Sequence, residues 1–137
     1  MKKGCGPREL ALNLLHRSPC NIQVAAVLSD RNGIFAWYWN NIGDGFGMCA
    51  ERKAIKQANR KRLKGAILTI AGRRKRNGRF VFCQPCLHCF NTAKRAGIKI
   101  VEHTTKDGNW INFPLQLVKM ACIELDGDIT RRNKKKN

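Results

Sequence analysis

Two short clusters of cysteine and glutamate constrain the fold of this chain more than any other feature. The first is Cys49-Ala50-Glu51, and the second, after a gap of 33 residues, is Pro85-Cys86-Leu87-His88-Cys89. Three thiolates with a fourth position left for water are a donor set of catalytic zinc, on which the pKa of water falls to about 7. Glu51 is then the candidate general base beside that water. The fold must therefore bring residues 49 and 86–89 together, and Zn2+ is the predicted cofactor.

Each cluster is predicted to begin a helix. One helix should run from about Cys49 to Arg62 and the other from Cys86 to Ala96, where Gly97 takes the C′ position. The unpaired amides of a helix N-terminus favour a thiolate over a thiol. Three thiolates leave a divalent zinc with one negative charge, and Arg52 is placed to offset it.

The segments around these helices predict an α/β fold. Residues 22–28 form an apolar run typical of a buried strand, and Asn32-Gly33 predicts a hairpin that leads to a strand from Ile34 to Trp39. The link at 104–109 is too short for a parallel crossover, so the strands on either side of it should be antiparallel. Residues 115–125 predict either a closing helix or an edge strand at 122–125. The other predicted elements are a helix at 7–17, strands at 65–72, 98–102 and 110–113, a basic turn at 73–78 and extended chain at 79–82.

Length and composition limit the chain to one domain. It has 137 residues, 43% of them hydrophobic, and we expect a single domain at 1–130 with a basic, disordered tail at 131–137. No apolar run approaches the roughly 20 residues of a membrane span, and the start lacks the apolar stretch of a signal peptide. Seven cysteines, three of them at 83–89, suit a metal site better than a disulfide framework. We therefore expect a cytoplasmic protein without a membrane partner.

The charge of the chain predicts a polyanionic partner. The formal net charge is +18, and residues 52–101 contain fifteen basic side chains and no acidic one. A single basic run is usually a solvated surface, but this reading is much weaker for fifteen cations without an acid. The candidate phosphate-binding side chains are Arg60, Lys61, Arg62, Lys64, Arg73, Arg74, Lys75, Arg76 and Arg79.

With these motifs the chain resembles the zinc-dependent cytidine and deoxycytidylate deaminase superfamily, over residues 8–113. The signature of that superfamily is His or Cys, any residue and Glu, followed later by Pro-Cys-x-x-Cys. Cys49-Ala50-Glu51-Arg52 is most similar to the small cytidine deaminases, whereas Pro85 to Phe90, with residues 96–99, looks more like deoxycytidylate and nucleic-acid deaminases. The resemblance implies a three-layer α/β/α fold with a mixed five-stranded sheet. The antiparallel last pair of strands also resembles the cytidine deaminases and certain bacterial deaminase toxins.

The resemblance also implies roles for the site residues. Cys49, Cys86 and Cys89 would hold zinc, Arg52 would hydrogen-bond the thiolates, and Glu51 would take a proton from the zinc-bound water. Attack at carbon 4 of the pyrimidine, with protons delivered by Glu51 to the ring and the amine, would release ammonia. The implied substrate contacts are Asn40 (or Asn41) on the sugar, Ala50, the Gln84 carbonyl on the exocyclic amine, and Trp39 or Phe46 stacked on a base.

Two alternative assignments of the cysteines stay open. Cys83 with the three other cysteines would make a four-thiolate structural site, which leaves Glu51 and Arg52 unexplained. Cys5, His16 and Cys20 would form part of a second zinc site, although scattered free thiols are the commoner case. His88 lies between two ligands on a helix and should point away from the metal.

The sequence leaves the substrate open. The net charge favours the hypothesis that the substrate is cytosine in single-stranded DNA or RNA. The similarity of Cys49 to Arg52 to the small cytidine deaminases, and the short chain, favour free cytidine, deoxycytidine or their nucleotides. A structural-zinc nucleic-acid-binding module is a third hypothesis. A homo-oligomer is compatible with the resemblance, since small cytidine deaminases are often tetramers, but +18 per chain opposes close assembly without anions.

Overall fold

The structure, a computed structural model, describes residues 6–41 and 49–117. Cys5, Phe46, the residues after 117 and the predicted tail at 131–137 lie outside the described residues. The domain boundary therefore stays a prediction, as does the choice between a helix and a strand beyond residue 117. No helix within the described ranges is long and apolar enough to cross a membrane.

The described chain contains four α-helices and five β-strands. The elements are α1 (Pro7–Leu14), β1 (Ile22–Asp30), β2 (Gly33–Trp39), α2 (Ala50–Gln57), α3 (Arg60–Leu63), β3 (Ile67–Arg74), α4 (Leu87–Ala96), β4 (Ile100–Thr104) and β5 (Trp110–Pro114). Short 3-10 helices at Leu15–Arg17 and Leu115–Leu117 follow α1 and β5.

The five strands form one mixed sheet in the order β2-β1-β3-β4-β5. β1 pairs antiparallel with both β2 and β3, β3 pairs parallel with β4, and β4 pairs antiparallel with β5. The predicted hairpin at Asn32-Gly33 and the predicted antiparallel last pair are both confirmed. Because β3 and β4 are parallel, their C-terminal ends lie at the same end of the sheet. The segment that leads to the second cysteine cluster follows β3, and the β4–β5 turn follows β4.

Helices cover both faces of the sheet, which makes the predicted three layers. Alternate residues of β1 face opposite sides: Ala25 and Val27 pack with α1, whereas Ala26 and Leu28 pack in the cluster that contains α2 and α4 residues such as Phe90. A strand buried on both faces lacks the alternation of polar and apolar residues, and residues 24–28 are accordingly apolar at every position.

The helix predicted from about Cys49 to Arg62 is too long. α2 ends at Gln57, and a separate turn, α3, begins after Asn59, whose side chain accepts a hydrogen bond of 2.9 Å from the Lys61 N–H. An asparagine that caps a new helix competes with continuation of the old one, because its side chain satisfies the N–H that the helix would bond.

The predicted third and fourth strands begin two residues too early. Gly97 ends α4 with φ of 88°, and the following Ile98 N–H bonds the Ala93 carbonyl, so this residue still belongs to the helix cap. Gly65 bonds the Gly97 carbonyl in the same connection before β3 begins. Hydrogen bonds that cap one element move the start of the next element to a later residue. The pattern of apolar residues does not show these bonds.

Residues 79–83 are held beside the end of β3 before they reach the cysteines. Phe80 bridges Arg73, the Val81 N–H bonds the Gly72 carbonyl, and the Cys83 N–H bonds the Thr104 carbonyl on β4. Gly72 has no room for a side chain here, since a Cβ would lie 2.7 Å from the Cys83 Sγ. The chain that leads to Cys86 is therefore packed directly on the sheet.

We expect Gly72→Ala to lower the free energy of unfolding by about 1–3 kcal/mol, because the added methyl overpacks this contact. Denaturant unfolding measures the loss. The double variant with Cys83→Ala should recover part of it, since the nearest atom has been removed. Strictly additive losses would contradict the contact.

His103 links the sheet to the same segment and should make stability pH-dependent. Burial lowers the pKa of His103 from its usual 6.5, so below that pH the unfolded chain binds a proton that the folded chain does not. The free energy of unfolding should therefore fall as the pH drops below 6.5, by at most about 1.4 kcal/mol per pH unit. His103→Gln should lose less stability than wild type between about pH 7 and about pH 5 in urea titrations. Identical pH profiles would refute this role.

Candidate active site

Three cysteines meet at the N-termini of two helices. Cys49 is the N-cap of α2, Cys86 is the N-cap of α4 and Cys89 lies in the first turn of α4. Their sulfur atoms lie within 4.8 Å of one another. Zinc–sulfur bonds of about 2.3 Å in a tetrahedron require sulfur separations of about 3.8 Å. The three residues therefore fit a zinc ion after a small inward movement and leave its fourth position for another ligand.

The thiols cannot all ionise without a cation. Hydrogen bonds, first from Cys49 and then from Cys89, lower the pKa of Cys86 to about 2, helped by N–H groups at the start of α4. The hydrogen bond with Cys86 is the main cause that raises the pKa of Cys49 to about 12. The pKa of Cys89 is also raised, mainly by its hydrogen bond with Cys49. Without a metal ion, the cluster favours one thiolate hydrogen-bonded to two thiols. A divalent metal is needed to stabilise three thiolates.

Glu51 is buried beside this cluster. It lies in the first turn of α2, is 6% exposed, and its pKa is raised to about 7, mainly by burial and further by the charge of Cys86. A carboxyl group with a pKa near the working pH can both accept and return a proton. Glu51 therefore has the properties of the predicted proton shuttle.

Arg52 also stands where its charge acts on the site. It opposes the rise in the pKa of Glu51, and it lines a pocket together with Thr92 and Ala96 of α4. The Arg52 Nε is buried with no hydrogen-bond partner among the described residues. A buried donor of this kind costs about 1–3 kcal/mol unless an acceptor is supplied, and fully deprotonated sulfurs are acceptors. The donor set and this unpaired N–H together fit a zinc–thiolate centre.

Cys83 is not part of the metal cluster. Its side chain packs on Gly72, and burial raises its pKa well above the usual value, so it remains a thiol. The group of cysteines that the described chain brings together contains Cys49, Cys86 and Cys89 alone. The four-thiolate alternative is therefore disfavoured by the geometry.

Other candidate metal ligands lie apart from this cluster. His88 is exposed on α4 and outside the group of ligands, as predicted. The ring nitrogen Nδ1 of His16 bonds the Asn13 carbonyl at 2.7 Å. A second zinc site with Cys5 and Cys20 stays a prediction, because Cys5 lies outside the described ranges.

The side-chain amide of Asn40 makes structural hydrogen bonds. Its amide oxygen accepts bonds from Ser18 Oγ at 2.5 Å and from the Val24 N–H at 2.9 Å, and its amide nitrogen donates to the Ile22 carbonyl. These bonds fasten the end of β2 to the start of β1. A sugar contact by Asn40 stays a prediction, and it requires one of these bonds to be exchanged.

Of the two predicted stacking residues, the structure describes Trp39. Trp39 packs with α1, and Arg17 lies over its ring at 5.4 Å, whereas Ala50 is buried on the opposite face of the sheet. Phe46 lies outside the described ranges. Ala50 and the half-buried Gln84 flank the cysteines in sequence, and their substrate contacts stay predictions.

The basic residues divide between the two ends of the sheet. Residues 60–64 precede the start of β3, and within them Arg62 is held by Asp30 through bonds of 2.7 and 2.8 Å. Residues 73–79 lie at the other end of β3, about 23 Å away for eight residues of strand. Arg73 bonds Gln23, but the exposed side chains at this end are Arg74, Lys75, Arg76 and Arg79. Only the second group lies at the edge where the chain continues to Cys86.

Phe82 and Lys106 also lie at this basic end of the sheet, and the sequence analysis did not identify either residue. A groove of about 1020 Å³ is lined by Phe82 and by Lys106 of the β4–β5 turn, together with Arg74, Arg79, Phe80, Val81 and Asp107. The alternation of Phe80 and Phe82 after a basic turn was the available signal. The contribution of Lys106 depends on the β4–β5 turn folding back towards residues 79–82, which no local pattern reveals.

Residues 8–104 match the family model of the cytidine and deoxycytidylate deaminase zinc-binding region. The chain belongs to this family. It is therefore a zinc-dependent cytidine-type deaminase, and its three clustered cysteines are the residues that would hold the metal. No curated protein sequence shows a significant match.

Solved structures share the fold. Cytidine deaminase from Burkholderia pseudomallei has a TM-score of 0.59 and 21% identity, over 80% of this chain and 90% of that one. The dCMP deaminase of cyanophage S-TIM5 has a TM-score of 0.54 and 21% identity, over 72% and 79%. RibD from Acinetobacter baumannii has a TM-score of 0.55 and 19% identity, over 72% of this chain and 27% of its own.

Replacing one ligand should abolish stoichiometric metal binding. Cys86→Ala should reduce bound zinc, measured by elemental analysis after dialysis, from one ion per chain to a small fraction, because two thiolates remain. Cys83→Ala is the matched control and should keep its zinc, since Cys83 packs on Gly72. Loss of zinc in both variants would restore the four-thiolate assignment.

Proposed function

We propose that the enzyme hydrolyses cytosine to uracil in single-stranded nucleic acid, DNA or RNA. The observation that carries this proposal is the group of exposed cations at 74–79, on the segment that continues to Cys86. A free nucleotide presents its phosphates at one point, whereas a polynucleotide presents a track of them on both sides of the target base. The net charge of +18 supports the same substrate.

The residues at the site support a hydrolytic mechanism. When bound, zinc supplies Lewis acidity that lowers the pKa of a coordinated water to about 7. Cys49, Cys86 and Cys89 would hold the ion, and Arg52 would balance part of the thiolate charge. The Glu51 carboxylate has a pKa raised to about 7 by burial, so it can accept and return protons at neutral pH. It takes one proton from the attacking water and passes it to the ring nitrogen, and then takes the second proton from the added hydroxyl group and passes it to the departing amine.

A free cytidine nucleoside or nucleotide is the second candidate substrate. Similar structures are a cytidine deaminase and a dCMP deaminase, and Cys49 to Arg52 resembles the small cytidine deaminases. Free cysteines at the site suit a reducing compartment, so the cytoplasm is the proposed location. A homo-oligomer also stays a proposal.

A substrate panel tests the proposal. Zinc-loaded protein is incubated with single-stranded DNA, single-stranded RNA, duplex DNA, cytidine, and cytidine mono- and triphosphates, and uracil formation is measured. We expect deamination of a single strand, with an affinity that falls steeply as salt rises, because phosphate contacts release counterions. Reaction of free nucleotides alone, even at low salt, would establish the second candidate instead.

Glu51→Gln should lower kcat on every reactive substrate by about 10²- to 10⁴-fold, because the variant has no group to move the proton. Its zinc content should equal that of wild type, since Glu51 is not among the clustered ligands. Full activity with normal zinc content would rule out Glu51 as the proton shuttle.

A further inference from the structure

The groove beside the metal site combines positive charge with an exposed aromatic ring. Arg74, Arg79 and Lys106 line this groove, and Asp107 is the single acidic side chain among the lining residues. Phe82 is 49% exposed within this groove. An exposed phenylalanine is unremarkable alone, but cations beside an aromatic ring are the composition of surfaces that bind single strands.

The two sides of the groove are packed against each other. The Phe80 ring lies against Gly108 of the β4–β5 turn, where an added Cβ would stand 3.2 Å from the ring. Arg79 is fixed at the end of the basic turn because its carbonyl accepts a 2.8 Å bond from the Arg74 N–H. The backbones of the two loops that carry these cations are therefore held together beside Phe80.

Phe82 has a defined orientation. Its ring meets that of His103 edge to face, with centroids 4.9 Å apart and planes at 79°. His103 is itself fixed by a 2.9 Å bond from its Nδ1 to the Thr104 carbonyl. A ring held on one side and half open to solvent is preorganised to stack on a base, since little side-chain freedom remains to be lost.

The groove is also within reach of the metal site. Phe82 is four residues before Cys86, so their Cα atoms lie at most about 14 Å apart. The chain between them is fastened by the Cys83 N–H to the Thr104 carbonyl. A strand whose target base enters the metal site therefore passes the groove within a short distance of that base.

We propose that this groove binds the nucleotide next to the target cytosine, with Phe82 stacked on its base and Arg74, Arg79 and Lys106 on its flanking phosphates. The inference rests on the proposed function, because it requires a polynucleotide substrate. It assigns a specificity-determining role to residues outside the zinc motif. Asp107 limits the affinity through repulsion of phosphate.

The chain offers matched controls for both parts of this surface. Trp37 is 47% exposed, close to Phe82 in exposure, but the pocket that contains it is lined by Phe35, Ala36, Tyr38, Trp39 and Gln57 without any charged side chain. Arg31, in the β1–β2 turn, and Lys99, just before β4, are exposed cations at the opposite end of the sheet.

The stacking contact is tested by a cycle between protein and substrate. Deamination of a single-stranded oligonucleotide with one cytosine is compared with that of oligonucleotides abasic at the preceding or the following position, in wild type, Phe82→Ala and Trp37→Ala. At one of these positions the abasic change should raise KM roughly 5- to 150-fold in wild type and in Trp37→Ala, and much less in Phe82→Ala. Phe82→Tyr should restore the wild-type response.

The phosphate contacts are tested by the salt dependence of binding. The Glu51→Gln protein, which should bind without turnover, is titrated with a fluorescent single strand at several salt concentrations. Arg79→Gln and Lys106→Gln should each reduce the slope of log Kd against log salt by about 0.7, the value for one contact with a single strand. Arg31→Gln and Lys99→Gln should leave it unchanged, and Asp107→Asn should tighten binding.

The outcomes separate this inference from the proposed function. If wild type deaminates a single strand but Phe82→Ala responds to abasic sites exactly as Trp37→Ala does, the groove assignment is wrong and the proposed function stands. If wild type neither binds nor deaminates any single strand, the proposed function fails and this inference fails with it. Thermal unfolding of Phe82→Ala close to that of wild type excludes misfolding as the cause of a lost response.

Discussion

Thr104 fastens the chain that carries two of the three cysteines that would hold zinc. Its hydroxyl donates to the Val81 carbonyl at 3.0 Å and accepts from the Gly72 N–H at 3.1 Å, while its carbonyl accepts the Cys83 N–H at 3.1 Å. Both functions of a buried hydroxyl are thus used to join β3, β4 and the segment before Cys86. The position of Cys86 and Cys89 relative to Cys49 depends on this junction.

The metal site and the basic groove are two ends of the same short segment. Residues 79–82 line the groove, and residues 86–89 supply sulfur to the cluster. Rigid attachment of this segment to the sheet keeps the groove, the proposed binding surface, at a constant distance from the metal site, and such an arrangement directs binding energy to orientation. His103 takes part in both functions, because it bonds the Thr104 carbonyl and contacts the ring of Phe82.

Local patterns predicted most of the elements because each has a physical signal of its own. The Asn32-Gly33 turn, the apolar run of β1 and the stop at Gly97 all arise from backbone conformations or burial that few residues satisfy. The errors lie at the ends of elements, where capping hydrogen bonds close one element before the next begins. Asn59 begins α3 and shortens α2, and this depends on one hydrogen bond that competes with a helical one.

The sequence by itself determined the chemistry of the site, because three thiols, Glu51 and Arg52 at these spacings suit few metals and few reactions. Tertiary structure decided which other residues accompany them. In the fold, the basic residues 60–64 lie at the end of β3 away from the cysteines, and Arg62 forms a salt bridge with Asp30. Lys106 and Phe82 line the same groove. Such neighbours are set by strand order and direction, which join residues distant in the chain and leave no local trace in its composition.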